Sequence, residues 1–300
     1  MKLIKPSFEI IEPTGYTIDD IYKSIELAGR VSHKSEHNIK EGSAKDFVGR
    51  MLNMKHLATC EFGTVYLQYS WPGIICQHYD QTALHKLLDK YTNNKYSIVR
   101  YHGNDIYVTT NLRVLIENNW LDDLKYLCEP TEYHEKRYTV KFICDRGISH
   151  EFVRHRKFSF IQESTRYCNY SKDKFDNEIT YILPPWISEF DVHNFYKNPK
   201  GDNFIRYNEN SLGGSFIFLF NLEELEEAYI ALIKEEGWKP EQARAILPNS
   251  LKTELYMCGF VEDWRHFFEL RCATNAHPQA KELAIPLQEE FIKQKLILKI

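Results

Sequence analysis

No C-x-x-C pair occurs among the seven cysteines (Cys60, Cys76, Cys128, Cys144, Cys168, Cys258, Cys272), and their number is odd. Such spacing suggests neither a disulfide framework nor a zinc site, so the thiols are expected to be reduced and mostly buried. No run approaches the roughly 18 apolar residues of a membrane span, and MKLIKPSFEI lacks a long apolar core followed by a small-residue cleavage site. A cytoplasmic protein without a membrane partner is the expectation. Basic charge is not in excess either: 38 Lys+Arg stand against 42 Asp+Glu, a net charge of -4. That balance provides no global field to draw in a long nucleic acid, and any anion must be held by a local site. Repeats and low-complexity linkers are missing as well. With 43% hydrophobic residues in 300, the chain can bury a sizeable core, and a single domain is favoured.

Periodicity outlines the elements. Residues 2–11 alternate as a strand does and end at the turn Pro13-Thr14-Gly15. Thr17 before Ile18, Asp19 and Asp20 marks a helix start, with Ile21, Ile25, Leu27 and Ala28 on its apolar face, and a second helix is predicted over 44–54. Residues 56–62 lead into a strand over 64–69. Between 70 and 136 the pattern gives a helix over 82–91, strands over 96–101 and 106–110, and a helical region over 112–127, with no motif that assigns a role. Tyr138, Val140, Phe142 and Cys144 alternate as a half-buried strand, Asp145-Arg146-Gly147 breaks it, and a helix is expected over 148–156. A short strand over 179–183 is closed by Pro184-Pro185, and 186–214 read as turn-rich, with Gly213-Gly214 as a hinge or loop near the site. The helix over 216–236 carries Glu223, Glu224, Glu226 and Glu227, which read as a solvated face. The expected fold is α+β, a mostly antiparallel sheet flanked by helices, with that long helix packed across it.

One stretch stands out. RHRKFSFIQESTRY, residues 154–167, sets Arg154, His155 and Arg156 side by side and follows them with Ser159, Gln162, Glu163, Ser164, Thr165 and Arg166. The planar donor fork of arginine matches a phosphate or carboxylate in pairs, so the segment reads as one that handles an anion. The plain alternative is a solvated basic turn. His150-Glu151 with His155 approaches a metal-binding HExxH, but the second histidine falls five residues on, about 140° round a helix instead of on the same face, so no metal site is expected.

Arg154-His155-Arg156, seven residues and then Ser164, with Arg166-Tyr167 behind, resembles the signature of the flavin-dependent thymidylate synthases (ThyX). A second block, residues 237–277, is similar to that family's progression at Gly237, Glu241, Ala243-Arg244, Leu247-Pro248, Thr253 and Leu270-Arg271. The resemblance is clearest over roughly half of the chain, and compact members of the family have little to match the elaboration at about 70–136. It implies reductive methylation of dUMP to dTMP, with 5,10-methylenetetrahydrofolate as one-carbon donor and FAD reduced by NADPH. It also implies a homotetramer with sites shared between subunits.

By the same resemblance Arg271 is the catalytic group, an arginine beside uracil N3 that favours loss of its proton. The dUMP pocket would comprise Glu151, Arg154, Gln162, Glu163, Ser164, Thr165, Arg166, Arg244 and Arg271. FAD would meet Thr64, Arg154, His155, Arg156, Gln162, Phe260, Val261, Glu262 and His266. Ser164 takes a binding role, because no histidine and acid are spaced to activate it. Cys258 lacks the neighbours of the nucleophile in the other class of thymidylate synthase and reads as a packed thiol. Departures are visible. Phe62 stands where the family has histidine, Gln162-Glu163 reverse the usual order before the serine, and Phe260 and Glu262 replace an asparagine and an arginine. They motivate the alternative of a non-catalytic nucleotide- or flavin-binding relative. A nucleic-acid module built on the 154–166 stretch is a further alternative, and the acidic net charge speaks against it.

Overall fold

A computed structural model describes residues 1–70, 89–197 and 213–297. The first run divides. Pro6, which has no N–H to give a ladder, separates β1 (Lys2–Ile4) from β2 (Ser7–Ile11), and the two strands join different sheets. Helix α1 (Ile18–Arg30) begins with a capping box in which Asp20 N donates to Thr17 Oγ1 and Thr17 N to Asp20 Oδ2. It is followed by α2 (Ser43–Asn53), and a 3-10 turn over Leu57–Phe62 delivers β3 (Thr64–Ser70). Gly63 lies against α1, where a Cβ would stand 2.7 Å from side-chain atoms of Ile21 and Ile25. Residues 71–88, with most of the expected 82–91 helix, lie outside the described residues.

Strands β4 (Ile98–His102) and β5 (Asp105–Asn111) form a hairpin across Gly103, whose φ of 58° suits a residue without Cβ. The helical region expected over 112–127 is two pieces: α3 (Leu112–Glu117) and a 3-10 turn over Leu121–Tyr126, broken where Asn119 takes a φ of 59°. Next come β6 (Arg137–Asp145), α4 (Arg146–Phe152), β7 (Ser159–Gln162) and β8 (Thr180–Ile182). Asp145-Arg146-Gly147 ends the strand as expected, but by starting the helix: Asp145 Oδ1 accepts from Ile148 N at 2.7 Å. Helix α5 (Glu189–Lys197) occupies part of the stretch read as turns, and 198–212 lie outside the described residues. Gly213 directly precedes α6 (Gly214–Lys234), and the chain continues through β9 (Lys252–Phe260), α7 (Val261–Arg271) and α8 (Pro278–Lys293).

The architecture is α+β. Four strands in the order β2-β6-β9-β7 are antiparallel throughout, β3-β5-β4 make a second antiparallel sheet, and β1 pairs with β8 in parallel. Period-two alternation explains why β9 is central. Leu255 and Met257 face a core with Phe142, Phe152, Trp264, Phe267 and Phe291, while Tyr256 and Cys258 face the other side with Ala28, Phe62 and Ile161. Each fully buried Phe or Leu contributes about 1.5–3 kcal/mol relative to exposure, so α7 is anchored chiefly by Trp264, Phe267 and Phe268 and α8 by Leu283, Leu287 and Phe291.

Two expectations about the long helix are corrected. The helices on the four-stranded sheet are α7 and α8. Helix α6 instead packs Leu222 and Tyr229 against Tyr181, Leu251 and Tyr170 beside β8. Its acidic run is also not wholly a solvated face, because Glu226 is turned inward and accepts from Ile179 N, closing the backbone at the start of β8.

Candidate functional site

Helix α4 stops at Phe152, four residues short of the expected end. His155 N then donates to Phe152 O and Phe158 N to His155 O, so the chain turns before entering β7. On that turn Arg154 and Arg156 point outward while His155 is buried against Phe158 and Phe267. The HExxH comparison loses its helix by the same turn.

Helix α7 brings Arg271 to this corner. Its Nε donates to His155 Nε2 at 3.0 Å, Nη1 to Glu151 Oε2 at 2.6 Å and Nη2 to the Glu151 carbonyl at 2.7 Å. Burial, then the charges of Arg271 and His266, push the His155 imidazole down to about 4. A neutral ring whose Nε2 accepts must carry its proton on Nδ1. A cavity of about 390 Å³ opens here, lined by Arg154, His155, Arg156, Lys157, Phe158 and Arg271 among others, with His266 on its wall. Neither the Arg154 nor the Arg156 side chain makes a hydrogen bond or ion pair with a described residue. A second cavity of about 390 Å³ lies across Glu151, walled by Trp186, Pro184, Pro248, His277 and Gln279.

The other site residues gather elsewhere. Gln162 points inward, its Nε2 donating to Ser149 Oγ at 2.8 Å and Thr253 Oγ1 at 3.1 Å. Glu163 is buried, accepting from Lys252 Nζ at 2.8 Å and the Tyr170 hydroxyl at 3.2 Å. Ser164 Oγ accepts from Arg166 N, the Arg166 side chain is exposed, and Arg244 Nη1 reaches Thr165 Oγ1 at 3.3 Å.

Thr64 belongs to a third place. Its Oγ1 accepts from Arg137 Nη1 at 3.1 Å, on a cavity of about 240 Å³ shared with Phe62, Tyr66 and Tyr256. Arg137 also donates to the Glu61 carbonyl at 3.0 Å and Ser159 Oγ at 3.4 Å, and its guanidinium lies 5.5 Å from the ring centre of Phe260. Phe260 is buried, Val261 half-buried, and Glu262 exposed in an ion pair with Arg265 at 3.1 Å. Arg137 was missed by the sequence reading. A cation at the first position of an alternating strand looks like an ordinary edge charge, and only the tertiary partners reveal it.

The description "Thymidylate synthase complementing protein" (Thy1) belongs to a family whose model matches residues 129–295, more than half of the chain. The chain belongs to the Thy1 family. The Thy1 match includes the arginine turn and Arg271, and begins beyond Thr64. Among curated relatives, "Flavin-dependent thymidylate synthase" of Corynebacterium efficiens is 31% identical over 151 residues, which is 50% of this chain and 54% of that protein. "Probable flavin-dependent thymidylate synthase" of Paramecium bursaria Chlorella virus 1 is 29% identical over 161 residues, 52% of this chain and 66% of that one. The chain thus spans between about half and two thirds of the length of these two relatives. Among solved structures, the UMP/dUMP methylase PolB from Streptomyces cacaoi bound with 5-Br UMP aligns with a TM-score of 0.42 and 14% identity over 98% of this chain and 92% of that one. No helix among the described residues is long and apolar enough to cross a membrane.

Proposed function

We propose that this chain is a flavin-dependent thymidylate synthase that converts dUMP to dTMP, taking the carbon from 5,10-methylenetetrahydrofolate and reducing power from NADPH through FAD. The observation that carries the reading is Arg271, fixed by Glu151 and His155 at the edge of a cavity rimmed by two outward arginines. The names of the Thy1 relatives support it. Arg154 and Arg156, with Lys157 beside them and Phe158 beneath, form a cationic rim on an aromatic floor, a donor set that suits the pyrophosphate of a dinucleotide. When bound, FAD supplies the two-electron chemistry between NADPH and the methylene-bearing uracil.

The residues of the chain do the positioning. Arginine has five N–H donors, and Arg271 uses three of them on Glu151 and His155, which leaves two, one on each Nη, for the base. Held on three sides, the guanidinium meets its substrate without reorganising, and a preorganised donor in a partly buried site is worth far more than one in water. Ser164, Arg166 and Arg244 sit together through Thr165 and are suited to the nucleotide phosphate. Three separate clusters of site residues in one chain support a homotetramer in which neighbouring copies complete each site. We read the chain as a single domain with an elaboration at about 70–136, working in the cytoplasm on small molecules.

Tritium release from dUMP labelled at C5 tests this, because C5 methylation must expel that hydrogen. Release that requires FAD, NADPH and methylenetetrahydrofolate, and that falls at least about a hundredfold in Arg271→Ala, is the expected result. Folded, FAD-loaded protein that binds dUMP without release would support the non-catalytic relative instead.

A further inference from the structure

We propose that Lys252 is a positioning residue for the nucleotide: it holds two carboxylates together at the end of β7 and so fixes the loop that carries Ser164, Thr165 and Arg166. The inference rests on the function proposed above, which gives that loop the phosphate. Strands β7 and β9 are antiparallel with Gln162 opposite Leu255, so one step further sets Glu163 opposite Glu254, and Glu163 N donates to the Glu254 carbonyl at 2.9 Å. Both carboxylates therefore lie on one face of the sheet, with side chains only 2% and 7% exposed. Like charges directly opposite each other work against a strand pair. Lys252 stands two residues before Glu254, hence on the same face, and its Nζ meets Glu163 Oε2 at 2.8 Å and Glu254 Oε1 at 2.7 Å.

Glu254 has Lys34 and Lys141 besides, whereas among the described residues Lys252 is the one cation paired with Glu163. Without it the carboxylates repel at the point where the chain leaves the ladder. The loop beyond is braced on its other flank: Ser164 N donates to the Ser32 carbonyl at 3.1 Å, and the Tyr167 ring stacks on His33 with centres 4.1 Å and planes 15° apart. Arg244 reaches the same loop through Thr165, so a shift at Glu163 moves the whole set of donors. Lys252 itself lines none of the three cavities described above, and acts through Glu163. A buried ion pair adds little net stability, because desolvation offsets its attraction, but it can fix a single geometry. A loop ordered in advance binds more tightly than one that must be ordered by its ligand.

Calorimetric titration of the FAD-loaded protein with dUMP decides the matter. Lys252→Met is expected to weaken dUMP about tenfold while FAD affinity stays within about twofold, and Lys252→Arg, which can still reach both carboxylates, should keep most of the wild-type affinity. Adding Glu163→Gln to Lys252→Met removes the repulsion, so the double variant should recover most of what the single one lost. Lys252→Gln is the milder substitute if Lys252→Met does not fold, with the same order of affinities expected. Unchanged dUMP affinity in a variant that folds by circular dichroism makes Lys252 purely structural and overturns this inference alone. A loss that Glu163→Gln does not relieve overturns it too, because Lys252 would then touch the nucleotide itself. Wild type that does not bind dUMP overturns the proposed function and this inference with it.

Discussion

Arg271 Nε–H donates to His155 Nε2 across 3.0 Å, and Nε2 can accept only while the imidazole is neutral. The ring has the His266 ring 6.2 Å away between ring centres and the cations Arg154, Arg156 and Lys157 on the same cavity wall. Glu151 already serves Arg271, and Asp263 on the same wall is 3.8 Å from Lys157 Nζ. Nothing in that surrounding rewards a charge on His155.

A pH dependence of stability follows, with a definite sign. His155 falls from an ordinary value near 6.5 to about 4 in the folded protein, so the unfolded chain binds the extra proton first as pH drops. Stability contributed by the neutral ring is present above about pH 6.5 and declines as pH falls toward about 4, by at most about 3 kcal/mol. Urea unfolding at pH 7, 5.5 and 4 measures it. His155→Gln keeps an acceptor without titrating and should show a shallower slope, and an unchanged slope would count against the assignment.

A second charge cluster answers to the opposite kind of group. Glu254 is buried on β9 and is met by Lys34 Nζ at 2.8 Å, Lys252 Nζ at 2.7 Å and Lys141 Nζ at 3.1 Å. Burial pushes its carboxyl up, but the charges and hydrogen bonds of Lys252 and Lys34 prevail and hold it at about 2. Its stabilisation is complete above about pH 4.5 and is lost as pH falls through about 2. Glu254→Gln leaves Lys141 without a carboxylate among the described residues and leaves Lys34 and Lys252 with only Glu36 and Glu163, and should cost about 3 kcal/mol at pH 7, read as a lower urea midpoint. Less than about 1 kcal/mol would mean that the lysines relax outward to water.

Much of the fold was legible because its signals are local. The capping box at Thr17, the alternation through Phe142 and the Asp145-Arg146-Gly147 break at the end of β6 all act within a few residues. What escaped depends on partners distant in sequence. Glu226 looks like any member of an acidic run until Ile179 N, 47 residues away, needs an acceptor. The sheet that the long helix meets is hidden for the same reason, since its apolar face does not say which layer it joins. In the candidate site, the motif named Arg154, His155, Arg156 and Arg271, yet only the folded chain turns His155 inward to hold Arg271. The family resemblance sets Gln162 and Glu163 beside Ser164 in one pocket, and the folded chain adds what the motif does not show: Gln162 donates to Ser149 and Thr253, and Glu163 accepts from Lys252.

Arg137 offers the clearest way to separate support from contact. Its guanidinium ties the Glu61 carbonyl and Thr64 Oγ1 at the entry of β3 to Ser159 Oγ at the entry of β7, and covers the Phe260 ring at the end of β9. Thr64 and Phe260 are two of the residues expected to meet FAD, and they come from different sheets. A lysine at this position keeps the charge but lacks the planar fork, so it cannot hold both sides at once. Arg137→Lys should lose about 1–3 kcal/mol in urea unfolding, because acceptors packed at the junction lose their donors. If Thr64 and Phe260 do contact the cofactor, FAD affinity measured by quenching of flavin fluorescence should fall about tenfold in the folded variant, with dUMP affinity much less affected. Lowered stability with unchanged FAD affinity would make Arg137 a structural tie alone and remove Thr64 and Phe260 from the flavin site.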